Sequence, residues 1–367
     1  MKAEIETVRD LVRTARATAE ERENVPGSAA LLRGIRADAP PGGEHYVYFL
    51  SGSPESLRKT IERKLQLDGV SPDGVVLKPQ LSNLVRGRFR AVRNQIAYKL
   101  GALLHGRAQA PVRSAETLFG DDAESDAFIY ALYADLVAGR VPEAELEKVL
   151  QRAGAYPDQV QHIRKLLESI VHERAVERIV IHLDQLTPPA EFSDFFPLAV
   201  PIYNHLQTAL VLWLDGRVSA RTVAEVTREL VAYESIEGPK PRTEEERLSA
   251  KPEARRIRLL NSAEDILRRR RLEIELCRLD ELASGLRREV RGNGQADAAD
   301  ATIEGIAERA EHVRTRPLPR STEPPFPESS WLERLEREEL RQSKIREKKK
   351  SKKSSKPQEP ALEEGPA

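Results

Sequence analysis

Gly120-Asp121-Asp122-Ala123-Glu124-Ser125-Asp126 follows the apolar run Thr117-Leu118-Phe119. A short strand that ends in Gly-Asp and leads into a helix carrying another acid can hold Mg²⁺ beside a phosphate. Mg²⁺ prefers oxygen ligands and takes one or two carboxylates, with water and substrate filling the rest. Three carboxylates so close repel one another unless a cation binds, which makes Asp121, Asp122 and Asp126 candidate metal ligands. Two further residues fit the same chemistry. Ser51 follows the apolar run Tyr46 to Leu50 and precedes a helical segment, where a hydroxyl and helix N-terminal amides can hold a phosphoryl oxygen. Lys99, in Tyr98-Lys99-Leu100-Gly101, can neutralise a phosphate and a neighbouring carboxylate.

The elements that position these residues follow from periodicity. Tyr46-Val47-Tyr48-Phe49-Leu50 reads as a strand buried on both faces. Glu55–Leu67 reads as a helix, Val75–Leu77 as a strand and Leu81–Leu104 as a long basic helix. Glu116–Phe119 is a third strand, followed by helices over Ala127–Val137, Glu143–Ala153 and Val160–Val171, and Val176–Leu183 is a fourth strand. Strands alternating with helices imply a parallel α/β sheet. Ligands of such sheets sit at the carboxyl ends of the strands, where Ser51 and Asp121 fall. Ile5–Glu23 has helical spacing. Beyond Pro188-Pro189 the reading is all-helical, over Pro201–Leu214, Val218–Tyr233 and Ala254–Leu286. From Arg291 proline and charge dominate, which predicts disorder apart from a charged helix over Trp331–Lys350.

The expected organisation is an α/β domain over 1–187, a helical extension over 188–290 and a tail over 291–367. The 59 basic and 59 acidic side chains cancel, so no global field draws in nucleic acid or membrane. The run Lys344 to Lys356 is locally basic, with eight cations against Glu347; a solubilising end explains it as well as contact with anionic lipid or nucleic acid does. Cys277 is the single cysteine, which excludes an internal disulfide framework and a cysteine-rich zinc site. No segment reaches the roughly 20 apolar residues of a membrane span, and the N-terminus has no secretory pattern, so a cytoplasmic location is expected. Arg86, Arg88, Arg90 and Arg93 read as a solvated basic face, and Arg268 to Arg271 as partners of intrahelical acids.

In order, the motifs Val25-Pro26-Gly27, Ser51-Gly52-Ser53-Pro54, Tyr98-Lys99-Leu100-Gly101 and Gly120-Asp121-Asp122 with Asp126 resemble the haloacid dehalogenase-like phosphatases. Within that superfamily they are most similar to the phosphatidate phosphatase catalytic-domain family first known from an actin-patch protein. That family reads Val-Pro-Gly, Ser-Asn-Ser-Pro, His-Lys-Leu-Gly and Gly-Asp-Ser with a distal Asp. The resemblance covers roughly residues 20–185. It implies that Ser51 binds the phosphoryl group, that Lys99 orients and neutralises, and that Asp121 with Asp122 or Asp126 holds Mg²⁺. The implied substrate is a phosphorylated small molecule or lipid headgroup.

The family's first motif, a central strand ending in Asp-x-Asp with the attacking carboxylate, has no counterpart before Val25; Asp10 sits in a helical pattern. Two expectations follow: the strand lies upstream of Met1, or the chain is a degenerate phosphatase. Either way the polypeptide as written should not turn over. The alternative class is a non-catalytic binding or scaffold module that keeps the pocket, or only the fold, and engages a protein through residues 190–367.

Overall fold

The computed structural model describes residues 18–22, 24–40, 43–78, 95–237, 301–308 and 329–354. The expected helix over Ala254–Leu286, Asp10, Cys277, the four arginines between 86 and 93 and the arginine run 268–271 lie outside them.

Among the described residues five strands form two all-parallel sheets. β1 (Tyr48–Pro54) pairs with β2 (Gly74–Lys78), and β3 (Glu116–Asp121), β4 (Val176–His182) and β5 (Ala199–Ile202) pair in that order. Among the described residues no ladder joins β1 to β3. The chain is therefore mixed α/β, as expected.

The helices are α1 (Ser28–Ala37), α2 (Arg58–Leu67), α3 (Gln95–Gln109), α4 (Asp126–Val137), α5 (Glu143–Arg152), α6 (Pro157–Ser169), α7 (His205–Leu214), α8 (Ala220–Glu237) and α9 (Trp331–Ser354). Alternation along β4 and β5 divides them into two layers. Ile179, Ile181 and Ala199 face a core built by α3 to α6, Phe192, Phe195 and Trp331. Val180, Val200 and Ile202 face α1, α7, α8 and the helical segment 301–308. A third, small core lies under α2 against β1 and β2.

Several expectations are revised. The stretch from 188 is not all helical. Pro201 and Ile202 belong to β5, which extends the sheet alongside β4, and α7 begins only at His205. Asn204 marks the switch, its side chain accepting the Gln207 amide at 3.1 Å as an N-cap does. Residues 18–22, read as the end of a helix, form a turn instead. One part of the tail expected to be disordered, 301–308, is helical and packed, and the charged helix expected over Trp331–Lys350 is present as α9. Ile303, Ile306 and Ala307 are fully buried, and α9 lays Trp331 edge-on against Phe128. β1 was expected to be buried on both faces, yet none of its residues is buried, and the same holds for β3. In β5 all four residues are buried.

Gly27 of the Val-Pro-Gly motif has a structural explanation. Its φ of 79° is left-handed, and a Cβ there would stand 3.2 Å from side-chain atoms of His205, Val226 and Leu230. The motif lets α1 start hard against α7 and α8.

Candidate functional site

The site is built around α3. Two buried cations two helical turns apart pin that helix along β3. Near the start of β3, Arg107 donates to Ser114 O at 2.9 Å and to Glu116 at 3.0 Å, and pairs with Glu173. Beyond the carboxyl end of β3, Lys99 is 4% exposed and pairs with Glu124 at 2.7 Å and with Asp126. Burial opposes the Lys99 charge, but the Asp126 and Glu124 carboxylates overcome it and raise its pKa above the ordinary lysine value.

The same helix reaches the end of β1. Tyr98 donates its hydroxyl proton to Ser51 O at 3.1 Å. Gln95 lies against Gly52, where a Cβ would stand 3.0 Å from Gln95 Nε2, and donates to Glu124 at 3.0 Å. Side chains of one helix thus bring the carboxyl ends of β1 and β3 together. Gln95 Oε1 is buried and accepts no hydrogen bond from a described residue.

The candidate ligands have separate fates. Asp121 Oδ1 accepts from the Ala123 amide at 2.9 Å and the Glu124 amide at 3.3 Å, an Asx turn that shapes the loop. Its Oδ2 takes no hydrogen bond from a described residue, and burial raises its pKa. Asp122 is fully buried, and its two oxygens accept the Gln185 and Thr187 amides at 2.8 and 3.0 Å. It staples the loop after β4. Asp126 sits 5% exposed beneath Gly120, pairs with Lys99 and accepts the Asp121 amide at 3.4 Å. Burial pushes its carboxyl up to about 6. Gly120 is required for this approach, because a Cβ there would lie 2.5 Å from Asp126 Cβ. Ser51 lies within β1 rather than after it, and its Oγ accepts the Ser53 amide at 3.1 Å.

For Mg²⁺ the fit is therefore partial. Asp121 offers a carboxylate oxygen, whereas Asp122 and Asp126 would have to give up buried partners. Among the described residues no three His, Cys, Asp or Glu side chains converge as a metal cage.

Three neighbours escaped the sequence reading. Lys78, at the carboxyl end of β2, is 1% exposed and its ammonium lies 5.5 Å from the Tyr98 ring centroid. Burial lowers its pKa, while Glu124 opposes that shift. A lysine directly after Val75-Val76-Leu77 was a readable signal. Glu124 was visible within the acidic motif but had no assigned partner. Arg341, from α9, donates to Asp122 O at 2.9 Å and Glu124 O at 2.8 Å, and nothing local in the sequence announces it. His182 stacks on His205, with ring centroids 5.6 Å apart, in keeping with a structural role.

A cavity at the amino ends of β3 and β4, lined by Thr117, Glu177, Arg178, Asp215 and Arg217, is at the wrong end for this chemistry. Its charges are already paired as Arg178–Asp215 and Arg217–Glu177. No helix among the described residues is long and apolar enough to cross a membrane. Comparison with family models, with curated proteins and with solved structures returned no match.

Proposed function

We propose that this chain is a phosphatase-like protein of the haloacid dehalogenase-like type, with a phosphate site at the carboxyl ends of β1 and β3. Its ligand class is a phosphomonoester, either a small molecule or a lipid headgroup. The supporting observation is that α3 brings Ser51, Lys99 and Asp121 to one end of two parallel sheets, where such folds place ligands. In this reading Lys99 neutralises the phosphoryl group once Glu124 yields to it, and Ser51 donates to a phosphoryl oxygen. Asp121 supplies one carboxylate to a Mg²⁺ ion, whose chemistry would be charge neutralisation on the phosphate.

No described residue places an attacking carboxylate between β1 and β3. Several observations favour a further strand there: among the described residues no ladder joins these strands, neither strand contains a buried residue, and the Gln95 acceptor at their carboxyl ends has no donor. Because Asp-x-Asp does not occur in residues 1–367, we propose that they bind phosphate without hydrolysing it.

The test is Mg²⁺-dependent hydrolysis of p-nitrophenyl phosphate. It compares residues 1–367 with the same chain carrying an added N-terminal apolar strand that ends in Asp-x-Asp. The expected result is no turnover from the first and turnover from the second. Turnover by residues 1–367 that survives Asp121→Asn would place the chemistry elsewhere.

A second reading, a scaffold module that keeps only the fold, is favoured by the internal pairing of Lys99 with both Glu124 and Asp126. Failure of both chains to hydrolyse, with no response to a phosphate mimic, would select it.

A further inference from the structure

α9 crosses about 200 residues of sequence to reach the acidic loop, and it does so with charge. Arg341 and Glu338 are each 5% exposed, and they pair on one face of the helix at 2.7 Å. Glu338 also accepts from Gln342 at 3.1 Å. The Arg341 guanidinium lies over the Phe192 ring, 5.2 Å from its centroid. Its remaining donors go to two main-chain carbonyls of the loop, Asp122 O and Glu124 O. A helix that merely covered a core would present apolar side chains, since burying an ion pair carries a desolvation cost that apolar packing avoids. A planar fork that fixes two carbonyls two residues apart instead sets backbone geometry.

The constrained residues are the ones around the site. Between the two clamped carbonyls lies Ala123, whose amide, like that of Glu124, donates to Asp121 Oδ1. Glu124, clamped through its carbonyl, directs its carboxylate to Lys99 and Gln95. The rest of α9 is anchored away from the loop, through Arg152 to Glu336 and Glu339, Arg337 to Asp194, and Trp331 N to Glu145.

We infer that Arg341 is a positioning residue. From the docked α9 it fixes the 121–124 loop, and through Glu124 it governs whether Lys99 is available to an anion. The inference rests on the proposed function only for the identity of that anion.

The test uses the full chain with Arg341→Lys, which keeps the charge but cannot span both carbonyls. Arg337→Gln serves as a control that loosens α9 without touching the loop. Residue-resolved amide exchange, without Mg²⁺ or phosphate, should show Ala123 and Glu124 exchanging at least tenfold faster in Arg341→Lys. Their rates should be unchanged in Arg337→Gln, and Ile179 to Ile181 should keep their protection in both. Unchanged loop exchange in Arg341→Lys, or equal acceleration in β4 and in both variants, would overturn the inference. In a separate titration with orthovanadate and Mg²⁺, Arg341→Lys should change the apparent affinity, and Arg337→Gln should not. If the wild-type chain binds no orthovanadate, the proposed function fails while the exchange result still decides the role of Arg341.

Discussion

Replacing Lys99 with Met tests the energetics of the site. Lys99 and Asp126 are 4% and 5% exposed, and Glu124 adds a second carboxylate to the lysine. Removing one member of a buried pair leaves the other charge uncompensated, at a cost of about 3–5 kcal/mol. Asp126 already sits at about 6 with the lysine in place, so in Lys99→Met its carboxyl rises further and takes up a proton. A carboxyl whose folded pKa is raised stabilises the fold below its ordinary value near 3.8 and loses that contribution as pH climbs through the folded value. The deficit of Lys99→Met against wild type should therefore shrink as pH falls toward about 6, by up to ~1.4 kcal/mol per pH unit, and stay level below it, where Asp126 protonates in both proteins. In an Asp126→Asn background the same substitution should cost at least about 1 kcal/mol less, because the coupled charge is gone. Urea unfolding followed by fluorescence of Trp213 and Trp331 measures each corner of the cycle. A Lys99→Met cost below about 1 kcal/mol, or equal costs in both backgrounds, would refute the argument.

His205 is held near 3 by burial, with the neighbouring His182 adding to the shift. An unfolded histidine binds its proton near 6.5, so the fold loses stability as pH drops from there toward 3. His205→Gln should flatten that slope in urea midpoints measured at about pH 7 and pH 5, and an unchanged slope would contradict it. Gly120→Ala drives a Cβ into Asp126 and should lower the thermal midpoint by several degrees through strain in the loop; a midpoint within a degree of wild type would show that the loop gives way freely. Asp122→Ala removes the acceptors of the Gln185 and Thr187 amides and should cost about 1–3 kcal/mol by urea unfolding.

What the sequence made legible was local. The run through β3, the acidic loop and α4 is readable because an apolar strand, a Gly-Asp turn and a helical period follow one another within twenty residues. Helices α5 and α6 and strand β4 carry their own periodicities and fall close to the expected spans. The errors are tertiary. β5 hides in an apolar run that continues into α7, and only Asn204 marks the boundary. Exposure of β1 depends on which strands flank it, and Tyr46 to Leu50 cannot report that. Asp122 and Asp126 look alike in the motif, yet one is consumed by a loop more than 60 residues away and the other by Lys99. The docking of α9 has the least local signal. Its charged pattern predicts a helix, but the partners of Arg341 are two carbonyls about 217 residues distant.

Calorimetric titration of residues 1–367 with orthovanadate, in the presence and absence of Mg²⁺, tests the phosphate site most directly. Mg²⁺-dependent binding is expected, and Asp121→Asn, which keeps the acceptor for the Ala123 and Glu124 amides, should weaken it by at least tenfold. No binding, or binding indifferent to both Mg²⁺ and Asp121→Asn, would contradict that expectation.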